Sequence, residues 1–408
     1  MPPQRPSGHR AVLGQYEESR ATTTLCLAAG FGSRHDPPGH GGTAHLLEHL
    51  LMSASLDGGP SLSERIERLG GAANATTGLD HMFFQAQVLN EDVPEVLAMM
   101  STALLRPRLD DAVLASERQA VLQELAAAAA DPSDQVQDAF LESVFRGHPL
   151  GRPVGGTAEE IEATDVHSLR EAHRDLFLGS RIVLTGAGGT PVANLRRLAE
   201  DTGLADALGR PHRRDDEPLA PLAAPTAPSE EGAESDGFSW LAVGGRAPAA
   251  DDPRRHAYVV LAHLLGPSSA SLLYRRLRGD AGLVYAFFAW SRSYAESGAW
   301  RIMAGVEDRN VSRARRIIEG LLAEVAADGP TADDLTAARH QAVMDLVLTT
   351  EKSWDHTTKL ATETLLGTRP WTVEDGIQAL RQVTADQIRD AAAELADRPV
   401  TAIRPERS

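Results

Sequence analysis

At 408 residues the chain is too long for one compact core and predicts two domains of about 200 residues each. An apolar fraction of 42% with 24% charged residues is ordinary for a folded protein and excludes large-scale disorder. The net charge of -17 excludes nucleic acid or an anionic membrane surface as principal partner, since both are bound through clustered Lys and Arg.

The N-terminal stretch MPPQRPSGHRAVLGQYEESR has no apolar core of a secretory signal, and no apolar run elsewhere approaches the roughly 18 residues of a membrane span. A cytoplasmic location without a membrane partner is expected. Lys occurs only at Lys352 and Lys359 while Arg is abundant, the codon bias of a GC-rich bacterium. The apolar TTTLCLAA reads as a strand and holds Cys26, the single cysteine, so no internal disulfide can form and a buried, inert thiol is expected.

GGTAHLLEHLLMS follows, and it places His45, Glu48 and His49 in an otherwise apolar run. On a helix, positions i, i+3 and i+4 share one face, so both imidazoles and the carboxylate point into the same space while Leu46, Leu47, Leu50 and Leu51 cover the rest. Thr43 is the expected N-cap. Two neutral imidazoles at i and i+4 can bind one Zn²⁺ while the carboxylate between them holds a water on the open position. Desolvating three such groups costs several kcal/mol unless they are paired or bound, so an apolar setting argues against a merely solvated face.

Farther on, HMFFQAQV reads as a strand with His81 on its surface, and VLNEDVPEVLAMMSTALL as an amphipathic helix. A catalytic zinc site wants a third protein ligand on another rigid element. The helix former DDAVLASERQAVLQELAAAAADP carries Glu117 and Glu124, two turns apart on one face; either can be that ligand, and spacing alone does not choose. His148 in RGHPLG reads as a loop residue, Thr164 as a helix N-cap, and GAGGT as a strand-ending turn and not a phosphate loop.

The stretch 215–237, rich in Pro, Ala and acids, has no periodicity and reads as a linker between domains at 1–214 and 238–408. On both sides of it the same elements recur: a strand (TTTLCLAAG, FSWLAVGG), a helical region, a strand (HMFFQAQV, AWRIMAGV), then an acidic turn and a long amphipathic helix. EEIEATDVHSLREAHRDLF and DGIQALRQVTADQIRDAAAEL form a second matched pair, the latter with Thr384 as N-cap. The offset of about 220 residues is that of a duplicated domain. The expected fold class is α+β, two homologous domains each with a mostly antiparallel sheet packed by helices.

GGTAHLLEHLL, LGGAANATTGLDHMFF, SERQAVLQELAAAAADP, HPLGRPVGG and YRRLRGDAGLVYAFFAW together resemble the inverzincin metallopeptidases of the pitrilysin and mitochondrial processing peptidase type, family M16, over nearly the whole chain. The resemblance implies a zinc-dependent endopeptidase holding one Zn²⁺ per chain on His45, His49 and Glu124, with Glu48 as general base and Glu117 assisting. It implies that Arg278 and Tyr285, by themselves a surface cation and a core aromatic, hold the substrate carbonyl. It makes Asn74, by itself a turn residue, and Ala75 part of an edge strand to which a peptide substrate adds. Short members pair with a second subunit, so a homodimer or a heterodimer is expected. The rivals are a non-catalytic subunit keeping the fold as scaffold or peptide-binding module, and a zinc enzyme of other chemistry such as an amidohydrolase. The sequence departs from the family pattern after the motif, where LLMSAS stands.

Overall fold

The computed structural model describes residues 11–208, 222–225, 229–230, 237–367 and 370–406. Its ten described strands form two five-stranded sheets. The first contains β1 (Val12–Tyr16), β2 (Thr22–Ala29), β3 (Ala72–Thr77), β4 (Met82–Leu89) and β5 (Ile182–Gly188) in the order β1-β5-β2-β4-β3. The second contains β6 (Ser229–Glu230), β7 (Phe238–Ala247), β8 (Val284–Ser293), β9 (Gly298–Glu307) and β10 (Val400–Pro405) in the order β6-β10-β7-β9-β8. Adding five to each number of the first order gives the second. In each sheet the first listed pair is parallel, β1 with β5 and β6 with β10, and the other pairings are antiparallel. The repeat read from the sequence is therefore a repeat of topology, and the expected α+β class with mostly antiparallel sheets is the observed one.

The compact units differ from the contiguous halves expected at 1–214 and 238–408. One unit comprises 1–125, 153–218 and 349–371; the other comprises 126–152, 219–348 and 372–408. Each sheet thus receives a helix from the other half of the chain. In the first unit the helix Ser353–Leu366 lies on β2, β4 and β5, where Gln85 Nε2 of β4 donates to the Trp354 carbonyl at 3.0 Å and Thr185 Oγ1 of β5 to that of Thr357 at 2.9 Å. In the second unit the helix Pro132–Val144 lies on β7 and β10, and Arg246 donates to the Val144 carbonyl at 3.1 and 3.2 Å. The physical cause is visible in the strands: seven of eight residues of β2 and nine of ten of β9 are buried, so both faces of each sheet need a cover. Most of the expected linker 215–237 lies outside the described residues.

In the first unit Leu25, Leu27, Phe84, Leu97, Val183 and Leu184 form one apolar core with the inner side of helix Thr43–Ser53. Cys26 is buried there, and burial pushes its thiol up to about 12, the inert state expected. Among the described residues no helix is long and apolar enough to cross a membrane.

Candidate metal centre

The helix Thr43–Ser53 carries the His-x-x-Glu-His motif, and its four leucines, Leu46, Leu47, Leu50 and Leu51, are each no more than 1% exposed. Burying four such side chains contributes about 6–12 kcal/mol before entropy is counted, enough to seat a helix that also carries polar groups. LLMSAS does not break this packing: the helix ends at Ser53, and Ala54 and Leu56 are buried behind it.

The start of the helix differs from expectation. The N-cap is Gly42, in the left-handed region at φ 81°, and Thr43 is the first helical residue, its hydroxyl donating to the His40 carbonyl at 2.7 Å. The capping acceptor comes from six residues upstream: Asp36, buried, accepts from the backbone N–H of Gly42 at 2.8 Å and of Ala44 at 2.9 Å. A carboxylate there satisfies orphan donors and matches the positive end of the helix dipole. Glycine at Gly156 is also required, because a Cβ would lie 2.3 Å from the Gly41 carbonyl, so the GRPVGG loop packs backbone to backbone against the helix entry.

Four side chains converge from two helices. His45 Nε2 lies 3.4 Å and His49 Nε2 3.5 Å from the same Glu124 oxygen, and the three residues offer donor atoms all within 4.8 Å of one another. Glu117 approaches the other side of His49, with Oε2 3.2 Å from Nδ1. Both glutamates stand on the helix Asp111–Ala130, two turns apart as the sequence implied, but they do different things: Glu124 faces both imidazoles, and Glu117 holds one ring from behind. Glu48 points beside them and accepts from Thr77 Oγ1 at 2.5 Å. Thr77 and Asp36 carry no local motif, and only their placement in three dimensions marks them.

The electrostatics fit a cation. Burial holds the His45 imidazole below its ordinary value, and repulsion from His49 pushes the same way against the pull of Glu124, so the neutral, metal-binding form is favoured. Burial raises the Glu48 carboxyl, opposed by the Thr77 hydroxyl and by His49 and reinforced by the charge of Glu124. Among the described residues no Arg or Lys is ion-paired with Glu48, Glu117 or Glu124. Separations of 3.4 and 3.5 Å are long for hydrogen bonds. They match the edge of about 3.3 Å that a tetrahedron has when zinc bonds are about 2.0–2.1 Å. The donor set, two imidazoles and one carboxylate, is that of a catalytic zinc site.

The other expected residues are placed as follows. Asn74, exposed, and Ala75, half-buried, lie on β3, which among the described residues is an edge strand of its sheet and pairs only with β4. Arg278 is exposed on the segment Tyr274–Asp280 of the second unit, its guanidinium 5.4 Å from the Tyr274 ring. Tyr285 falls in β8 of the same unit, where the pairing with β9 slips between Val284 and Phe287. His81 is half-buried against Phe83, with ring centroids 4.5 Å apart. His148 lies in a loop as expected and is buried there, its Nδ1 accepting from the Leu150 N–H at 3.2 Å and its Nε2 3.2 Å from Glu296. The cap expected at Thr164 belongs to Asp165, while Thr384 caps its helix as expected.

In the second unit the helix between β7 and β8, Arg255–Leu264, has the place that Thr43–Ser53 has in the first, and it lacks the motif. The cluster of His45, His49 and Glu124 is the one group of metal-binding character among the described residues.

A duplicated α+β chain in which an inverted His-x-x-Glu-His helix supplies two histidines and a second helix a glutamate to one centre defines a zinc-peptidase class of protein. Comparison with known families places it further. Residues 11–158 match the insulinase (peptidase family M16) model and residues 165–342 the peptidase M16 inactive domain, and the chain belongs to family M16. It is 28% identical to an uncharacterized zinc protease of Streptomyces coelicolor over 96% of this chain and 86% of that one. It is 26% identical to one of Bacillus subtilis, over 95% and 94%. A peptidase M16 inactive domain from Pseudomonas fluorescens has the same fold, with a TM-score of 0.83 at 17% identity over 99% of this chain and 97% of that one.

Proposed function

We propose that this chain is a zinc-dependent endopeptidase that cleaves peptides or unfolded segments. The observation that carries the reading is the convergence of His45, His49 and Glu124 on one point, with no competing cation paired to the carboxylates among the described residues. Zinc bound there would supply a Lewis acid for the peptide carbonyl and make water acidic near neutral pH. Glu48 takes the proton of the attacking water and returns it to the leaving amine. Glu117, against Nδ1 of His49, fixes the ring's orientation. A substrate in extended form adds to the edge strand at Asn74 and Ala75, where backbone bonds give affinity without demanding a sequence. The family resemblance supports a carbonyl-holding role for Arg278 and Tyr285 and pairing with a second subunit. A chain that keeps both the zinc motif and the Arg and Tyr favours a homodimer over a heterodimer. The bacterial zinc protease relatives favour a location in the bacterial cytoplasm.

The test is metal analysis of the purified chain together with a mass-spectrometric digest of a peptide library. One zinc per chain with cleavage, and zinc without cleavage in Glu48→Gln, is the expected result. Zinc without cleavage in the wild type would favour the non-catalytic subunit instead.

A further inference from the structure

We infer that Thr77 is the positioning residue of the general base: its hydroxyl fixes one oxygen of Glu48 and ties that carboxylate to the strand on which substrate lies. The inference rests on the peptidase reading above and deepens it.

Glu48 reaches its position through a flexible side chain beside Glu124, whose charge repels it. Among the described residues Thr77 is the one residue that donates hydrogen bonds to its carboxylate. With Oε2 engaged at 2.5 Å, the other oxygen is the one left to accept a proton. A carboxylate free to rotate would spend part of its time with neither oxygen aimed at the reacting water.

Both partners of this bond are braced by one loop, that between β2 and the helix Thr43–Ser53. On one side Ser33 N–H donates to the Gly78 carbonyl at 3.0 Å and Arg34 N–H to that of Leu79 at 3.1 Å. The buried Arg34–Asp80 pair at 2.8 Å locks the turn that directly follows Thr77. On the other side Asp36 of the same loop caps the helix that carries Glu48. The hydrogen bond is therefore held at a set length from both ends. Thr77 is also the last residue of β3, on the half-buried side with Ala75, while Asn74 and Thr76 are exposed.

Thr77→Val keeps shape and β-branching but loses the donor, Thr77→Ser keeps the donor, and Thr77→Ala guards against a packing artefact. In the zinc-loaded chain, Thr77→Val and Thr77→Ala are expected to lower kcat about tenfold, the loss of one hydrogen bond to a charged group, with KM nearly unchanged. Thr77→Ser should restore most of kcat. Zinc affinity, by competition with a chromophoric chelator, should be the same in all of them. In a Glu48→Gln background, adding Thr77→Val should leave the binding of the wild type's best peptide substrate unchanged, because Thr77 acts through Glu48 and does not touch substrate. Full kcat in Thr77→Val, no rescue by Thr77→Ser, lost zinc, or weakened peptide binding in the double variant would each overturn the role. A zinc-loaded wild type that cleaves nothing would overturn the peptidase reading and this role with it, and it would show before any variant is made.

Discussion

Asp36→Ala tests whether the entry to the metal helix is built as described. The substitution removes a buried acceptor from two backbone donors, at 2.8 Å from Gly42 N and 2.9 Å from Ala44 N. Each buried donor left unpaired costs about 1–3 kcal/mol, and loss of a cap by substitution to alanine typically costs about 1 kcal/mol. Because these overlap, about 3 kcal/mol is expected for the first unit, with Asp36→Asn, which keeps one acceptor oxygen, at about half of that. For a unit of this size the thermal midpoint should fall by about 6–12 °C. Melting curves of the metal-free protein in chelator, followed by circular dichroism, read this directly. Since His45 stands only one residue beyond Ala44, zinc affinity should weaken as well, measured by chelator competition. An alanine variant that melts within about 1 °C of wild type would mean that water or another group satisfies those donors, and would refute the account of the helix start.

Three further outcomes are expected. Glu124→Gln should weaken zinc binding by well over tenfold, whereas Glu117→Gln should lower turnover by about 10–100-fold with most of the metal retained; chelator competition and steady-state assays on the same preparations decide, and the reverse pattern would exchange the two roles. Glu48→Gln should keep its zinc and lose hydrolysis, so a variant that loses both in proportion would make Glu48 a ligand. Tyr285→Phe should reduce kcat by about 10²-fold with a smaller change in KM and no change in zinc content, and unchanged turnover would remove Tyr285 from the carbonyl-holding pair.

The sequence by itself determined what depends on short-range periodicity. His45, Glu48 and His49 share a face because a helix repeats every 3.6 residues, and the leucines between them bury the remainder, so the motif could be read before the fold was known. The same holds for the strands around Cys26 and Phe84, for the cap at Thr384, and for the duplication, whose two copies preserve their order of elements. Glu117 and Glu124 were legible only as a pair. Their helix spacing is symmetrical, and it took the second helix, with Glu124 facing both Nε2 atoms and Glu117 behind Nδ1, to tell them apart. The tertiary structure alone decided the rest. Asp36 replaces Thr43 as the capping group because the loop returns its side chain to the helix start, and no i to i+3 rule reaches that far back. Thr77 meets Glu48 across 29 positions of chain, and Trp354 meets Gln85 across 269, because sheets with two buried faces must take their covers from wherever the chain can supply them. Contacts of that kind leave no periodic trace in the sequence, since what selects them is the closing of a surface and not the geometry of any one element.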